Sequence, residues 1–142
     1  MSDGFFYTWQ MEKIEHLGIA VKNLEEAIPR YEKLFATTCY KRELVESQGV
    51  ETAFFMVGPN KIELLSATTE DSPIAKFISK KGEGIHHTAF AVVDIKAEME
   101  RLSNEGFRLL MDEPITGADN KIICFLHPKE TNGVLIELCQ DA

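Results

Sequence analysis

Two short apolar segments of the sequence each carry one glutamate near the middle. Residues 61–65 read Lys-Ile-Glu-Leu-Leu and residues 134–139 read Val-Leu-Ile-Glu-Leu-Cys, so Glu63 and Glu137 have similar neighbours. A carboxylate inside an apolar β-strand is costly unless it is paired, protonated or bound to a cation. The repetition therefore predicts that the two glutamates serve one buried site.

Two histidines recur in the same manner. Residues 14–21 align with residues 85–92, which matches His16 with His87, and small residues follow each histidine two and four positions later. Because alternate residues of a strand share a face, these small residues leave open space beside each imidazole. The histidines are 71 residues apart and the glutamates 74 residues apart, which indicates a two-fold internal repeat.

Two imidazoles and two carboxylates in one cleft suit a divalent first-row metal such as Co²⁺, Zn²⁺, Mn²⁺, Ni²⁺ or Fe²⁺, and disfavour an oxygen-only calcium cage. Four protein ligands in an open cleft leave coordination positions on the metal free for water or for a bidentate substrate. A metal held in this way would act as a Lewis acid that polarises a carbonyl oxygen and stabilises developing enolate charge.

Both halves of the chain are predicted to fold as β-α-β-β-β. Helical spacing after Asn23 and after Asp94 predicts two capped helices, and Ser72 followed by Pro73 predicts a short linking helix over residues 73–80. Alternating apolar residues predict strands at residues 14–21, 39–46, 52–57, 61–67, 85–93, 107–111, 121–126 and 134–139.

The fold class that follows is α+β, with two pseudo-symmetric βαβββ modules enclosing a cleft. The modules extend over about residues 13–70 and 85–140. Together they form a single domain, residues 13–140, after an N-terminal extension of residues 1–12. A chain of 142 residues is long enough to bury the core of such a domain.

Charge and composition exclude several partners. A net charge of −8 leaves no basic surface for nucleic acid, and no apolar run approaches the length of a transmembrane helix. The cysteines, Cys39, Cys124 and Cys139, lack Cys-x-x-Cys spacing, which favours free thiols in a reducing compartment. Because the first residues also lack the features of a secretory signal, we expect a cytoplasmic protein without nucleic-acid or membrane partners.

Several motifs together resemble those of one protein family. They are His-Leu-Gly-Ile-Ala-Val (16–21), Gln-Gly-Val (48–50), Lys-Ile-Glu-Leu-Leu (61–65), Asp-Ser-Pro-Ile-Ala-Lys-Phe (71–77), Gly-Ile-His-His (84–87), His-Pro-Lys (127–129) and Gly-Val-Leu-Ile-Glu (133–137). Over about residues 13–140 the chain resembles the vicinal oxygen chelate, or glyoxalase-like, superfamily and, within it, the methylmalonyl-CoA epimerases. The histidine and glutamate positions mark only the superfamily, whereas the Asp-Ser-Pro, His-His and His-Pro-Lys motifs are more specific to the epimerases.

The resemblance implies a metal-dependent isomerase that works as a homodimer. It implies interconversion of (R)- and (S)-methylmalonyl-CoA by removal of the C2 proton through a metal-stabilised enolate. The metal ligands of the family correspond to His16, Glu63, His87 and Glu137. Co²⁺ is the favoured metal, with Zn²⁺, Mn²⁺, Ni²⁺ or Mg²⁺ as alternatives.

Epimerisation needs a proton-transfer group on each face of C2, and Glu137 is predicted to serve one face. Some family members have a glutamate four residues after the glutamine of Gln-Gly-Val, but here Thr52 occupies that position and Glu51 precedes it. Because a one-residue shift turns a side chain to the other face of a strand, Glu51 serves only if a bulge or altered register redirects it. Otherwise a water molecule held by Thr52, or another group, is required.

Two other classes of function fit the same residues. One is another enzyme of the superfamily, either a glyoxalase-like lyase or isomerase or an Fe²⁺ dioxygenase, although the extra carboxylate of Glu63 disfavours a dioxygenase. The other is a metal-free small-molecule binding protein of the same fold, which need not keep all four ligand positions.

The two remaining histidines are expected to have other roles. His86 is expected to point away from His87 into the core, and His127 either to bond its own loop or to contact the substrate.

Overall fold

The computed structural model describes residues 10–142, which form one curled eight-stranded sheet and three α-helices. The strands are β1 (Met11–Ala20), β2 (Lys41–Val45), β3 (Val50–Val57), β4 (Asn60–Ala67), β5 (Gly84–Val92), β6 (Ile115–Thr116), β7 (Lys121–Leu126) and β8 (Ile136–Asp141). The helices are α1 (Leu24–Phe35), α2 (Pro73–Lys81) and α3 (Ile95–Asn104). The predicted α+β fold class is confirmed. Of the predicted N-terminal extension, residues 1–9 lie outside the described part, and Met11 and Glu12 already belong to β1.

The strand order β2-β3-β4-β1-β5-β8-β7-β6 reflects the internal repeat. The first half of the chain supplies β1 to β4 and the second half supplies β5 to β8. In each half the first strand pairs in parallel with the last, and the two halves meet where β1 pairs antiparallel with β5. The four central strands are therefore those that carry the predicted ligands.

Helices α1 and α3 cover the outer face of the two halves of the sheet. In α1, Leu24 and Ala27 pack against Phe55 of β3 and Leu64 of β4, and α3 packs in the same way on β7 and β8. Burial of a leucine or phenylalanine side chain contributes about 1.5–3 kcal/mol. Because these contacts use the outer face, the opposite face of the same strands is left to line a cleft.

Side-chain caps start the three described helices, as the sequence predicts. The capping bonds run from the amides of Glu26, Ile74 and Ala97 to the side-chain oxygens of Asn23, Ser72 and Asp94, and each is 3.1 Å long. Each cap contributes about 1 kcal/mol to the helix it begins. No helix among the described residues is long and apolar enough to cross a bilayer.

The prediction of a strand at residues 107–111 is wrong. Leu109 forms only an isolated bridge with Leu126, and the edge strand of this half is the two-residue β6. Phe107, Leu109 and Met111 instead pack against the core beneath α3. The alternation of apolar residues in this segment therefore reflects burial, with a single bridge to β7 in place of a full strand.

Two of the three register shifts where β1 meets β5 decide which side chains face the cleft. The pairing register shifts by one residue at Glu15, just before His16, and again at His86, just before His87. Bulges of this kind re-aim side chains, and here both members of each pair lie on the concave side. The prediction that His86 points away from His87 is therefore wrong.

Candidate active site

The concave side of the sheet encloses a cavity of about 600 Å³. This volume is within the range of small-molecule binding sites. Both modules line the cavity, because the central strands of the sheet pass beside it. Its ionisable lining residues include His16, Glu63, His86, His87 and Glu137.

Three of the predicted metal ligands converge on one point of this cavity. The Nε2 atoms of His16 and His87 are 2.9 Å apart. Glu137 Oε1 lies 3.1 Å from Nε2 of His87 and 3.7 Å from Nε2 of His16. All three residues are buried, and they belong to β1, β5 and β8. The repeat therefore brings donors from both modules to a single site.

The donor set fits a divalent cation. Bonds from such an ion to histidine nitrogen or carboxylate oxygen are about 2.0–2.2 Å long, so ligand atoms at right angles lie about 3 Å apart. The separations of 2.9 Å between the two imidazoles and 3.1 Å between His87 and Glu137 agree with this value. Two facing imidazole nitrogens can share only one hydrogen, whereas a cation between them uses both lone pairs.

The charges around the triad favour positive charge at its centre. Burial lowers the pKa of His16, but the carboxylates of Glu137 and Glu15 outweigh burial and raise that pKa to about 10. Burial raises the pKa of Glu137, but the neighbouring imidazoles of His16 and His87 outweigh burial and lower that pKa to about 2. A metal ion would take the place of the proton on His16, so metal binding releases protons.

Glu63 lies in the cavity but beside the triad. Its Oε2 atom is 3.2 Å from Nδ1 of His16 and 3.6 Å from Nζ of Lys61. The triad of His16, His87 and Glu137 therefore forms without it. Burial is the largest influence on Glu63 and raises its pKa. Of the four predicted ligands, the structure brings three donors together and places the carboxylate of Glu63 beside them.

Glu51 and Thr52 face opposite sides of β3. The pairing of β3 with both neighbours is regular along its length, so no bulge redirects Glu51. The carboxylate of Glu51 lies outside the cavity and accepts a 3.0 Å hydrogen bond from Nε of Arg42. Thr52 is buried and lines the cavity, and no described residue forms a hydrogen bond with its hydroxyl. The structure thus brings Thr52, and not Glu51, to the site.

Three residues beside the triad were not predicted from the sequence to belong to the site. Glu15 contacts His16, Lys61 contacts Glu15, and His86 contacts His87. Strict alternation assigns both Glu15 and His86 to the outer face, so only knowledge of the bulges could have placed them. For His127 the structure supports the loop alternative, because its Nδ1 accepts a 3.0 Å hydrogen bond from the amide of Lys129.

Comparison with protein families gives one match that covers most of the chain. Residues 15–125 match the model of the glyoxalase/bleomycin resistance protein/dioxygenase superfamily. A Bacillus subtilis protein of uncharacterised function, YqjC, is 41% identical over 92% of this chain and 93% of its own length. The similarity to YqjC extends over nearly the whole chain, whereas the family match ends before β8.

Two further relatives have named functions. The ethylmalonyl-CoA/methylmalonyl-CoA epimerase of Cereibacter sphaeroides is 40% identical over 90% of this chain and 97% of its own length. A solved structure of a variant of Streptomyces coelicolor methylmalonyl-CoA epimerase, in complex with 2-nitronate-propionyl-CoA, is 36% identical. It superimposes with a TM-score of 0.88 over 93% of this chain and 99% of that chain.

Proposed function

Because this chain belongs to the glyoxalase/bleomycin resistance protein/dioxygenase superfamily, we propose that it is an isomerase that interconverts (R)- and (S)-methylmalonyl-CoA. The observation that carries the proposal is the convergence of His16, His87 and Glu137 in the cavity of a chain 40% identical to a named epimerase. Two histidines and one carboxylate also serve Fe²⁺ dioxygenases, so the donor set alone does not choose the reaction. The likeness to the epimerases over nearly the whole chain is what favours isomerisation.

The chain's own residues have separate tasks in this reaction. His16, His87 and Glu137 would hold the cation, and we propose Glu63 as the fourth ligand and Co²⁺ as the metal. A bound divalent cation supplies Lewis acidity, which makes the C2 proton between two carbonyl groups easier to remove. Glu137 is ionised at neutral pH, and we propose that its oxygen that does not hold the cation accepts that proton on one face.

We propose that a water molecule held by Thr52 serves the other face of C2. The hydroxyl of Thr52 is buried at the cavity wall without a partner among the described residues. An unsatisfied buried hydroxyl costs about 1–3 kcal/mol. A water molecule at this position would satisfy the hydroxyl and would pass a proton between C2 and the surrounding water, receiving one proton for each that it gives up.

Thr52→Val is expected to slow epimerisation by about 10²-fold, the lower end of the range for an acid–base group, because the group acts through water. Valine keeps the shape of threonine and removes only the hydroxyl. Thr52→Ser keeps the hydroxyl and is expected to remain within a few-fold of the wild type. Equal rates for the valine and serine variants, measured by conversion of pure (S)-methylmalonyl-CoA, would exclude this role for Thr52.

Glu51→Gln is expected to change the epimerisation rate less than about two-fold. The Glu51 carboxylate lies outside the cavity and pairs with the partly exposed Arg42, and exposed ion pairs contribute about 0–1 kcal/mol. The same assay checks this outcome. A loss of several orders of magnitude would mean that Glu51 reaches the substrate in solution through a register that this structure does not have.

We also propose that the protein is a cytoplasmic homodimer. Helices α1 and α3 cover the outer face of β1 and β5 only in part, and Ile14 and Ile85 on these strands are 60% and 65% exposed. Exposed apolar patches of this kind are typical of protein interfaces. The three cysteines are free, which suits a reducing compartment.

Proton NMR of (R,S)-methylmalonyl-CoA in D₂O tests the proposed activity. Metal-replete protein is expected to remove the C2 proton signal faster than spontaneous exchange, and chelator-treated protein is expected to lose this effect. Firm metal binding without exchange of the C2 proton would support the proposed metal site but contradict the proposed epimerase activity. In that case oxygen consumption with catechol-type substrates would test for a dioxygenase.

A further inference from the structure

Each histidine of the triad has a partner on the ring nitrogen that faces away from the triad. Nδ1 of His16 lies 2.6 Å from Oε1 of Glu15. Nδ1 of His87 lies 2.9 Å from Nδ1 of His86. In both cases the partner is the residue just before the histidine, and in both cases a bulge brings it to the same face.

Glu15 is itself held from the other side. Its second oxygen, Oε2, lies 2.9 Å from Nζ of Lys61, a buried lysine that also binds Oδ2 of Asp119 at 2.7 Å. One carboxylate oxygen of Glu15 therefore faces the imidazole of His16 and the other faces an ammonium group. The orientation of Glu15 is therefore fixed by two partners, His16 on β1 and Lys61 on β4, and Lys61 is in turn held by Asp119.

We propose that Glu15 and His86 are positioning residues that set the tautomer and the donor strength of the two histidine ligands, an inference that rests on the proposed metal site. A neutral imidazole carries one ring hydrogen. If that hydrogen is on Nδ1 and bonded to a partner, the lone pair of Nε2 is free to face the cation.

The two partners make the two histidines unequal. Glu15 is a carboxylate, which strengthens its histidine as a donor, whereas His86 can only accept one hydrogen through Nδ1. The contact of 2.9 Å between the Nδ1 atoms of His86 and His87 has room for a single hydrogen. That hydrogen belongs to His87 if Nε2 of His87 is to bind the cation. The two halves of the site therefore differ chemically, with a carboxylate partner for His16 and an imidazole partner for His87, although the sequence repeat matches the two histidines.

Titration of chelator-treated protein with Co²⁺ tests the inference without an activity assay. Glu15→Leu removes the nearer acceptor, at 2.6 Å from Nδ1 of His16, and leaves only Glu63 Oε2 at 3.2 Å, so Co²⁺ binding is expected to weaken by about 10–100-fold. Glu15→Gln keeps an acceptor oxygen without charge, and its Co²⁺ affinity is expected to lie between those of the wild type and Glu15→Leu. The matched control is Glu12→Gln, a change of the same kind at an exposed position of β1, which is expected to leave affinity unchanged. Circular dichroism verifies that each variant is folded.

A second variant addresses the other half. His86→Leu is expected to weaken Co²⁺ binding less than Glu15→Leu does, because a neutral acceptor is lost instead of a carboxylate. In both variants the visible absorption bands of bound Co²⁺ are expected to shift, which a purely structural role would not produce. Folded Glu15 and His86 variants with the affinity and spectrum of the wild type would overturn the inference. Absence of Co²⁺ binding in the wild type would instead overturn the metal site itself.

Discussion

Glu137→Gln is expected to reduce exchange of the C2 proton of methylmalonyl-CoA by at least about 10³-fold. An amide cannot accept the proton, and general acid–base catalysis contributes about 10²–10⁴-fold. Glutamine also replaces the anionic oxygen that lies 3.1 Å from Nε2 of His87, so metal binding weakens at the same time. The measurement is the loss of the C2 proton signal in D₂O, with the Co²⁺ content of the variant determined in the same sample.

The metal content separates the two effects of this substitution. A variant that retains Co²⁺ but exchanges no proton supports a direct role of Glu137 in proton transfer. Glu51→Gln is the matched control, because it makes the same chemical change outside the cavity. Exchange at the wild-type rate in metal-loaded Glu137→Gln would show that another group removes the proton.

Local signals in the sequence were sufficient to predict most of the fold. Asn23, Ser72 and Asp94 begin their helices as predicted, because a cap depends on residues only two or three positions away. The repeat of strands followed from matching segments. The strand predicted at residues 107–111 does not form, because pairing depends on a neighbouring strand that local alternation does not identify.

Of the site, the sequence predicted only the residues that the internal repeat places at matching positions. The matching positions of His16 and His87 required no knowledge of pairing, and the structure brings the two Nε2 atoms within 2.9 Å. The faces of Glu15 and His86 depend on bulges, which arise from the register between β1 and β5 and leave no periodic signal. The carboxylate of Glu63 contacts both His16 and Lys61, and the spacing of residues along the chain does not predict which of the two contacts is shorter.

Gly18→Ala is expected to abolish Co²⁺ binding and to lower the free energy of unfolding by about 1–3 kcal/mol, the usual cost of overpacking. A Cβ at this position would lie 2.2 Å from Cε1 and 2.6 Å from Nδ1 of His87. The ring has little room to yield, because the rings of His16, His86 and Phe125 have centroids 5.1–5.7 Å from its own. Co²⁺ titration and urea unfolding measure the two effects.

A double-mutant cycle with His87→Ala identifies the source of the strain. Without the imidazole, the new methyl group has space, and alanine is about 0.5–1 kcal/mol better than glycine inside a strand. Gly18→Ala is therefore expected to be neutral or stabilising in the His87→Ala background, with a coupling energy of about 1–3 kcal/mol between the two positions. Equal destabilisation in both backgrounds would mean that the new methyl group clashes with backbone atoms and not with the imidazole of His87. Strong coupling would instead show that Gly18 acts on the metal site through the ring of His87, because only a residue without a Cβ lets that imidazole lie against β1.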